Sequence, residues 1–178
     1  QETREAAIAL SPRIRIVTPR VVGSIALRGG RIDDLTLLEY HETTEPDSPQ
    51  VVLLSPAESP AAEGEQNTSF LLPQDAVSSP GPYFADFGWL ADEGAGLVVP
   101  GTETVWQADR HELTPGKPVT LSWDNAEGLI FSQEIAIDRN YMLTVTRRVQ
   151  NHGDSGVSLR PFGRVKRTGT PSISGFYI

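Results

Sequence analysis

The 178-residue sequence contains no cysteine, a single methionine and only three histidines. Without cysteine, a disulfide framework, a thiol nucleophile and a zinc–thiolate site are all excluded. No apolar run approaches the roughly 20 residues that a membrane-spanning helix needs. Gln1–Leu10 also lacks the basic start and apolar centre of a signal peptide. What is present, 38% hydrophobic and 21% charged residues, is typical of one globular domain.

Charge is distributed in blocks along the chain. The net charge is −8, which argues against nucleic acid as a partner, because phosphate binding requires clustered cations. Residues 1–32 carry six arginines and two glutamates, residues 33–109 carry fifteen acids and no lysine or arginine, and residues 110–178 return to a balance of +3. One interpretation is a solvated acidic face with scattered arginines. The other is that the two basic ends meet and face an anionic surface, such as lipid headgroups or an acidic partner.

Apolar residues alternate with polar ones in short segments that turn residues separate. Val119, Leu121 and Trp123 share one strand face, and the set Phe131, Gln133, Ile135 and Ile137 follows on the next strand. Sixteen glycines and fourteen prolines supply turns and disfavour helices. The pattern predicts an all-β antiparallel sandwich over residues 13–178.

Three segments stand apart from this pattern. Residues 1–12 are predicted to form a short helix or a tether. Residues 43–68 contain four prolines and are predicted to be a long flexible excursion, interrupted by a short strand at Val51–Leu54. The apolar stretch Ile173–Ile178 is predicted to begin a further strand.

Few residues have a spacing that indicates catalysis. His41, His111 and His152 are far apart and match no metal-binding motif, so exposed turn positions are the favoured interpretation. No G-x-S-x-G nucleophile elbow is present. Asp33 and Asp34 are adjacent on a predicted strand, where neighbouring side chains point to opposite faces, which disfavours a glycosidase pair. We expect no catalytic residue, metal site or cofactor.

Aromatic residues are the other feature that can bind a ligand. On a sheet they form a stacking platform for sugars or a groove for peptides, although they more often fill the core. The candidate cleft aromatics are Tyr83, Phe87, Trp89, Trp106 and Trp123.

Two stretches carry a resemblance to a known family. The first is Thr18–Tyr40, with Leu27-Arg28-Gly29-Gly30 at its centre. The second is Phe131–Arg167, a succession of strand, Asp-x-x-Tyr turn, strand, Val-x-Asn turn and a strand ending near Phe-Gly. This order resembles the first periplasmic domain of the bacterial membrane protein insertase family YidC. The resemblance covers Arg13 to Arg167, with the proline-rich centre unaligned.

The resemblance implies a twisted β-supersandwich of the galactose-mutarotase type, on the periplasmic side of the bacterial inner membrane. It also implies a transmembrane helix before residue 1 and further strands after residue 178. The domain is expected to be a non-catalytic docking module that supports membrane protein insertion. The implied partners are the Sec translocon with SecDF, nascent membrane proteins through the transmembrane part, and the lipid surface.

The expected contact residues are cations near the end of the sequence that meet a partner or an anionic surface: Arg147, Arg148, Arg160, Arg164, Lys166 and Arg167.

An alternative of a different class stays open, namely a mutarotase-like domain that binds or epimerises sugars. Such chemistry needs a general acid and a general base across a concave sheet. The nearest candidates are His111 with Glu112 or Glu134.

Overall fold

The computed structural model describes residues 3–56 and 82–168, which form one short helix and eleven strands. The strands range from two residues in β6 and β7 to eleven residues in β3. The elements are α1 Arg4–Ala9, β1 Arg13–Val17, β2 Val21–Ala26, β3 Arg31–His41, β4 Gln50–Leu54, β5 Tyr83–Ala91, β6 Gln107–Ala108, β7 Glu112–Leu113, β8 Val119–Asp124, β9 Leu129–Ile137, β10 Leu143–Asn151 and β11 Leu159–Arg167.

The strands form two sheets. The first sheet has the order β11-β5-β3-β2-β1-β7, with β4 also paired to β3, and the second has the order β10-β9-β8-β6. Every pairing is antiparallel except that of β1 with the short β7, where Arg15 lies opposite Glu112 in a parallel arrangement. The expected all-β antiparallel sandwich is therefore confirmed, and the parallel contact is an addition that the sequence pattern did not indicate.

The core lies between the two sheets and is built from alternating positions. In β9, every second residue from Leu129 to Ile137 is buried, as the period of two predicts. Phe131 of β9 contacts Trp89 of β5 edge to face, with ring centroids 5.1 Å apart. The buried Gln133 Nε2 donates to the backbone oxygen of Phe87 at 3.2 Å, which adds a polar link between the sheets.

The segments outside the main pattern have different outcomes. Of the two alternatives for the N-terminal segment, a helix is observed: α1 begins after Thr3, whose hydroxyl accepts from the Ala6 amide at 3.2 Å, and Ala7 is buried. The short strand expected at 51–54 is confirmed as β4. The rest of the proline-rich excursion from residue 57, and the strand expected at 173–178, lie outside the described residues. Across 3–56 and 82–168, no helix has the length and apolar character needed to span a bilayer.

A close approach of two strands requires glycine at position 23. A β-carbon on Gly23 would lie 1.9 Å from the backbone oxygen of Asp34, which cannot move without breaking the β2–β3 ladder. We expect Gly23→Ala to lower the free energy of unfolding by about 2 kcal/mol or more. That loss corresponds to a fall in melting temperature of roughly 4–8 °C by differential scanning calorimetry.

Gly156 is the matched control, because a β-carbon there meets no atom within 4 Å and its φ is not positive. Gly156→Ala is expected to leave the melting temperature within about 1 °C. Equal effects of the two substitutions would contradict the steric explanation.

Candidate functional site

The six cations predicted to meet a partner lie on β10 and β11, the outer strands of the two sheets at one side of the sandwich. Each of these strands is paired along one edge only within the described residues. The structure therefore places the predicted cations on two strands at one side of the sandwich, where neighbouring residues such as Lys166 and Arg167 point to opposite faces. The six side chains differ in their contacts, so they do not share one role.

The Arg147 side chain lies between the two sheets. Its Nη1 donates to the backbone oxygens of Gly88 at 3.0 Å and Phe162 at 2.5 Å. The guanidinium also lies 5.9 Å from the Phe87 ring centroid and 6.0 Å from that of Trp89. Its neighbour Arg148 is exposed on the opposite face of β10. Arg147 thus joins the sheets and is not positioned as a surface cation.

Two more of the predicted cations are paired with acids. Arg164 makes two hydrogen bonds to the buried Asp86 carboxylate, Nε–Oδ1 at 2.9 Å and Nη2–Oδ2 at 2.5 Å. These bonds raise the pKa of Arg164 above its ordinary value. Arg160 lies 3.4 Å from Asp92 in an exposed ion pair. Such exposed pairs are weak and exchange readily with other partners.

The remaining three cations are exposed, and no carboxylate within the described residues pairs with them: Arg148, Lys166 and Arg167. Arg167 lies over the Tyr83 ring at 5.2 Å, which fixes its direction without neutralising its charge. We call these three residues the basic edge. Among the six predicted cations, these three are the most available to an anionic partner.

The candidate cleft aromatics separate into two groups. Trp89 and Trp106 are 5% and 2% exposed and belong to the core, so they cannot form a stacking platform. This corrects their assignment as cleft residues, and the reason is that both side chains point between the sheets. Tyr83, Phe87 and Trp123 are half-buried. Trp123 packs against Phe131, with ring centroids 5.8 Å apart. It also lines a cavity near β6, the strand that lies farthest from β10 in the second sheet.

The proposed acid–base residues lie on different sheets. His111 and Glu112 are exposed at β7 of the first sheet, and Glu134 lies on β9 of the second. Within the part of the chain that the structure describes, no group of three or more histidine, aspartate or glutamate side chains could hold a metal ion.

A buried cluster of charges escaped the sequence analysis. The register of β2 with β3 shifts at this point, because Ser24 lies opposite Asp34 and Ile25 lies opposite Ile32, so that Asp33 lies in a β-bulge. Asp33 pairs with Arg13, while Asp34 pairs with Arg4 of α1 and accepts from the Ser24 hydroxyl at 2.5 Å. The bulge places both carboxylates in one buried network, contrary to the simple alternation expected for neighbouring strand residues.

A second missed feature ties the sheets together at the Asp-x-x-Tyr turn. The Tyr141 hydroxyl donates to the Glu39 carboxylate at 2.7 Å, and Glu39 also pairs with Arg20 at 3.4 Å. The pKa of Tyr141 is raised to about 12. Partial removal of the hydroxyl from water is the largest cause, and the hydrogen bond to Glu39 is the second. Tyr141 has a φ of 74°, a strained value for a bulky residue, which these contacts compensate.

Two antiparallel sheets that pack around one apolar core place the chain first in the class of all-β sandwich domains. The sequence matches the family described as the YidC periplasmic domain over residues 13–70 and 60–178. The chain therefore belongs to the YidC periplasmic domain family, as the resemblance in the sequence indicated.

Curated relatives agree with this assignment. The membrane protein insertase YidC of Methylobacterium nodulans is 47% identical over 99% of the chain, which is 26% of that relative. That of Bradyrhizobium diazoefficiens is 45% identical over 98% of the chain and 25% of the relative. That of Beijerinckia indica is 43% identical over the whole chain and 26% of the relative. The chain spans about a quarter of the length of the relatives it matches.

The buried network generates a stability prediction. Arg13 and Arg15 are both on β1, but Arg13 pairs with the 2%-exposed Asp33, whereas Arg15 makes a long, exposed pair with Glu112 at 3.8 Å. Arg13→Met removes the guanidinium from this buried ion pair. We expect it to lower the free energy of unfolding by about 3 kcal/mol, since removing one partner of a buried pair is costly.

Arg15→Met is the control and is expected to cost about 0.5 kcal/mol or less. Urea unfolding followed by tryptophan fluorescence measures both variants. If the two variants unfold at the same urea concentration, the buried pair contributes no more to the free energy of unfolding than the exposed pair does.

Proposed function

We propose that this chain is an accessory, non-catalytic periplasmic module of an inner-membrane protein insertase. Its family membership supports this role, because the relatives are named membrane protein insertases and the matched segment is a periplasmic domain. In this proposal the module docks partners, and the insertion of membrane proteins belongs to the remainder of the polypeptide.

The basic edge is the surface that we assign to docking. Arg148, Lys166 and Arg167 are exposed without acidic partners among the described residues, on strands that lie at the outside of both sheets. An unneutralised group of cations attracts acidic protein surfaces and anionic lipid headgroups over a distance of about 8–10 Å at physiological salt. The partners proposed for this surface are SecDF, other subunits of the Sec translocon, and the membrane surface itself.

The rigidity of the sandwich makes such docking directional. Arg147 links β10 to the backbone of β5 and β11, and Arg164 holds β11 to Asp86 on β5. The strands that present the basic edge are therefore fixed to the core by charged side chains as well as by backbone hydrogen bonds. A fixed surface loses little conformational entropy on binding, which favours a scaffold role.

Docking is tested by reversing the three free charges together, with Arg148→Glu, Lys166→Glu and Arg167→Glu in one variant. A change of six charge units along these two strands is expected to weaken binding to vesicles containing anionic phospholipid, or to detergent-solubilised SecDF, by roughly tenfold or more at low salt. Co-sedimentation and surface plasmon resonance measure the two interactions. The melting temperature of the variant should change by only about 1–2 °C, because among the described residues these side chains pair with no carboxylate and lose only the exposed Arg167–Tyr83 contact.

The matched control reverses three exposed cations elsewhere, Arg110, Lys117 and Arg139. It has the same net charge as the first variant, so a general electrostatic effect would weaken binding equally in both. Equal weakening, or unchanged binding of the first variant at low salt, would reject the docking role of the basic edge. Polarimetry with common hexoses tests the absence of catalysis, and accelerated mutarotation would contradict it.

A further inference from the structure

The short helix α1 is attached to the first sheet by few of its side chains. Ala7 is buried, and Arg4 and Ile8 are half-buried, at the spacing of three and four residues that places them on one helix face. The other three residues of the helix are exposed. The apolar part of this attachment is therefore one alanine and a portion of one isoleucine.

One charged side chain, Arg4, joins α1 to the strands. Its Nη2 pairs with the Asp34 carboxylate of β3 and donates to the backbone oxygen of Leu54 on β4 at 3.2 Å. Asp34 also accepts from the Ser24 hydroxyl, so a second contact holds this carboxylate within the sheet. Arg4 Nε is buried and has no hydrogen-bond partner among the described residues. An unpaired buried donor lowers the net stability of the docked helix.

The chain is held differently from Ser11 onward. The Ser11 hydroxyl accepts from the Arg28 amide at 3.1 Å, and the Pro12 oxygen accepts from the Leu27 amide at 2.8 Å, one residue before β1 begins. These bonds tie Ser11 and Pro12 to the chain that follows β2. Within the part of the chain that the structure describes, the residues before Ser11 are held through α1 alone. Ser11 is therefore positioned as a hinge.

A helix as short as α1 depends on its contact with the sheet. Isolated helices shorter than about 12 residues are unstable in water, because nucleation fixes several residues for few hydrogen bonds. When α1 leaves the sheet, its six residues therefore also lose their helical structure. Local opening of this kind is favoured where few apolar groups are buried, and it occurs more often than unfolding of the whole domain.

We propose that α1 is a releasable strap. In one state it is a helix docked on the first sheet through the Arg4–Asp34 pair, and in the other it is an extended tether that begins at Ser11, while the sandwich stays folded. Release changes the reach of the chain, since six helical residues span about 9 Å and six extended residues span about 20 Å. The strap thereby sets the distance between the sandwich and the polypeptide that precedes it in a longer chain. It uses none of the basic edge, so it is independent of docking there.

Amide hydrogen exchange measured by NMR tests the strap. The Ala7 amide donates to the Thr3 oxygen at 3.0 Å, so we expect it to be protected, but with a protection factor roughly 100-fold or more below that of the slowest amides of β9. Arg4→Gln removes the ion pair and is expected to lower protection at Ala7 by about fivefold or more, with β9 unchanged. The matched control Arg15→Gln removes an exposed cation of β1 and is expected to change neither protection factor by more than about twofold.

A distance measurement shows the release directly. Because the chain contains no cysteine, spin labels can be placed at Ala6→Cys on α1 and Val165→Cys on β11, both exposed positions. Double electron–electron resonance is expected to give one dominant distance that broadens with Arg4→Gln and not with Arg15→Gln.

Three outcomes would overturn the proposal. If the amides of α1 exchange as slowly as those of β9, the helix opens only when the whole domain unfolds. If Arg4→Gln accelerates exchange in α1 and β9 equally, the helix is a fixed part of the sandwich. If Arg4→Gln changes neither the exchange at Ala7 nor the distance distribution, the ion pair does not hold the strap.

Discussion

The contact between Phe131 and Trp89 is the interaction on which the sandwich depends. Phe131 belongs to β9, the strand with the most regular burial pattern. Trp89 belongs to β5, which pairs with the basic strand β11. When these rings pack together, the alternation in β9 sets which side chains face the first sheet. The positions of Arg147, Gln133 and the exposed cations follow from that register.

Strands with a strict alternation could be predicted from the sequence because alternation is a local property. The core-facing positions of β8 and β9 were predicted in this way and are confirmed, whereas the short strand β4 was predicted as an apolar interruption of the proline-rich segment. The bulge at Asp33 could not be predicted, since it depends on pairing with β2 and on arginines that lie 20 and 30 residues away in sequence. The two adjacent acids in an otherwise apolar strand were a sign of buried charge. Strand alternation alone, however, places Asp33 and Asp34 on opposite faces and so does not predict a shared network.

In the candidate site too, local sequence patterns were predictable and long-range pairings were not. The sequence predicted that the six cations include contact residues for a partner or an anionic surface, and the structure places them on β10 and β11, which end the two sheets. Which cations are neutralised depends on the β5–β11 register, which places Asp86 opposite Arg164. The same limit applies to the tryptophans, because a local pattern does not distinguish the buried Trp89 and Trp106 from Trp123 at the cavity.

Charged side chains hold the two strands that carry the exposed cations. Arg147 joins β10 to the backbone of β5 and β11, and Arg164 joins β11 to Asp86 of β5. The strands that carry Arg148, Lys166 and Arg167 are therefore fixed to the core, as the proposed scaffold role requires.

Site-specific photocross-linking in intact inner membranes tests the docking claim most directly. A photoreactive amino acid replaces Lys166 in one full-length insertase and Lys117 in another, since both lysines are exposed and lie in different parts of the fold. We predict adducts with SecDF, another Sec subunit or anionic lipid from position 166 and few from position 117. Adducts from position 117 alone, or equal and weak labelling from both positions, would contradict a basic edge that docks partners.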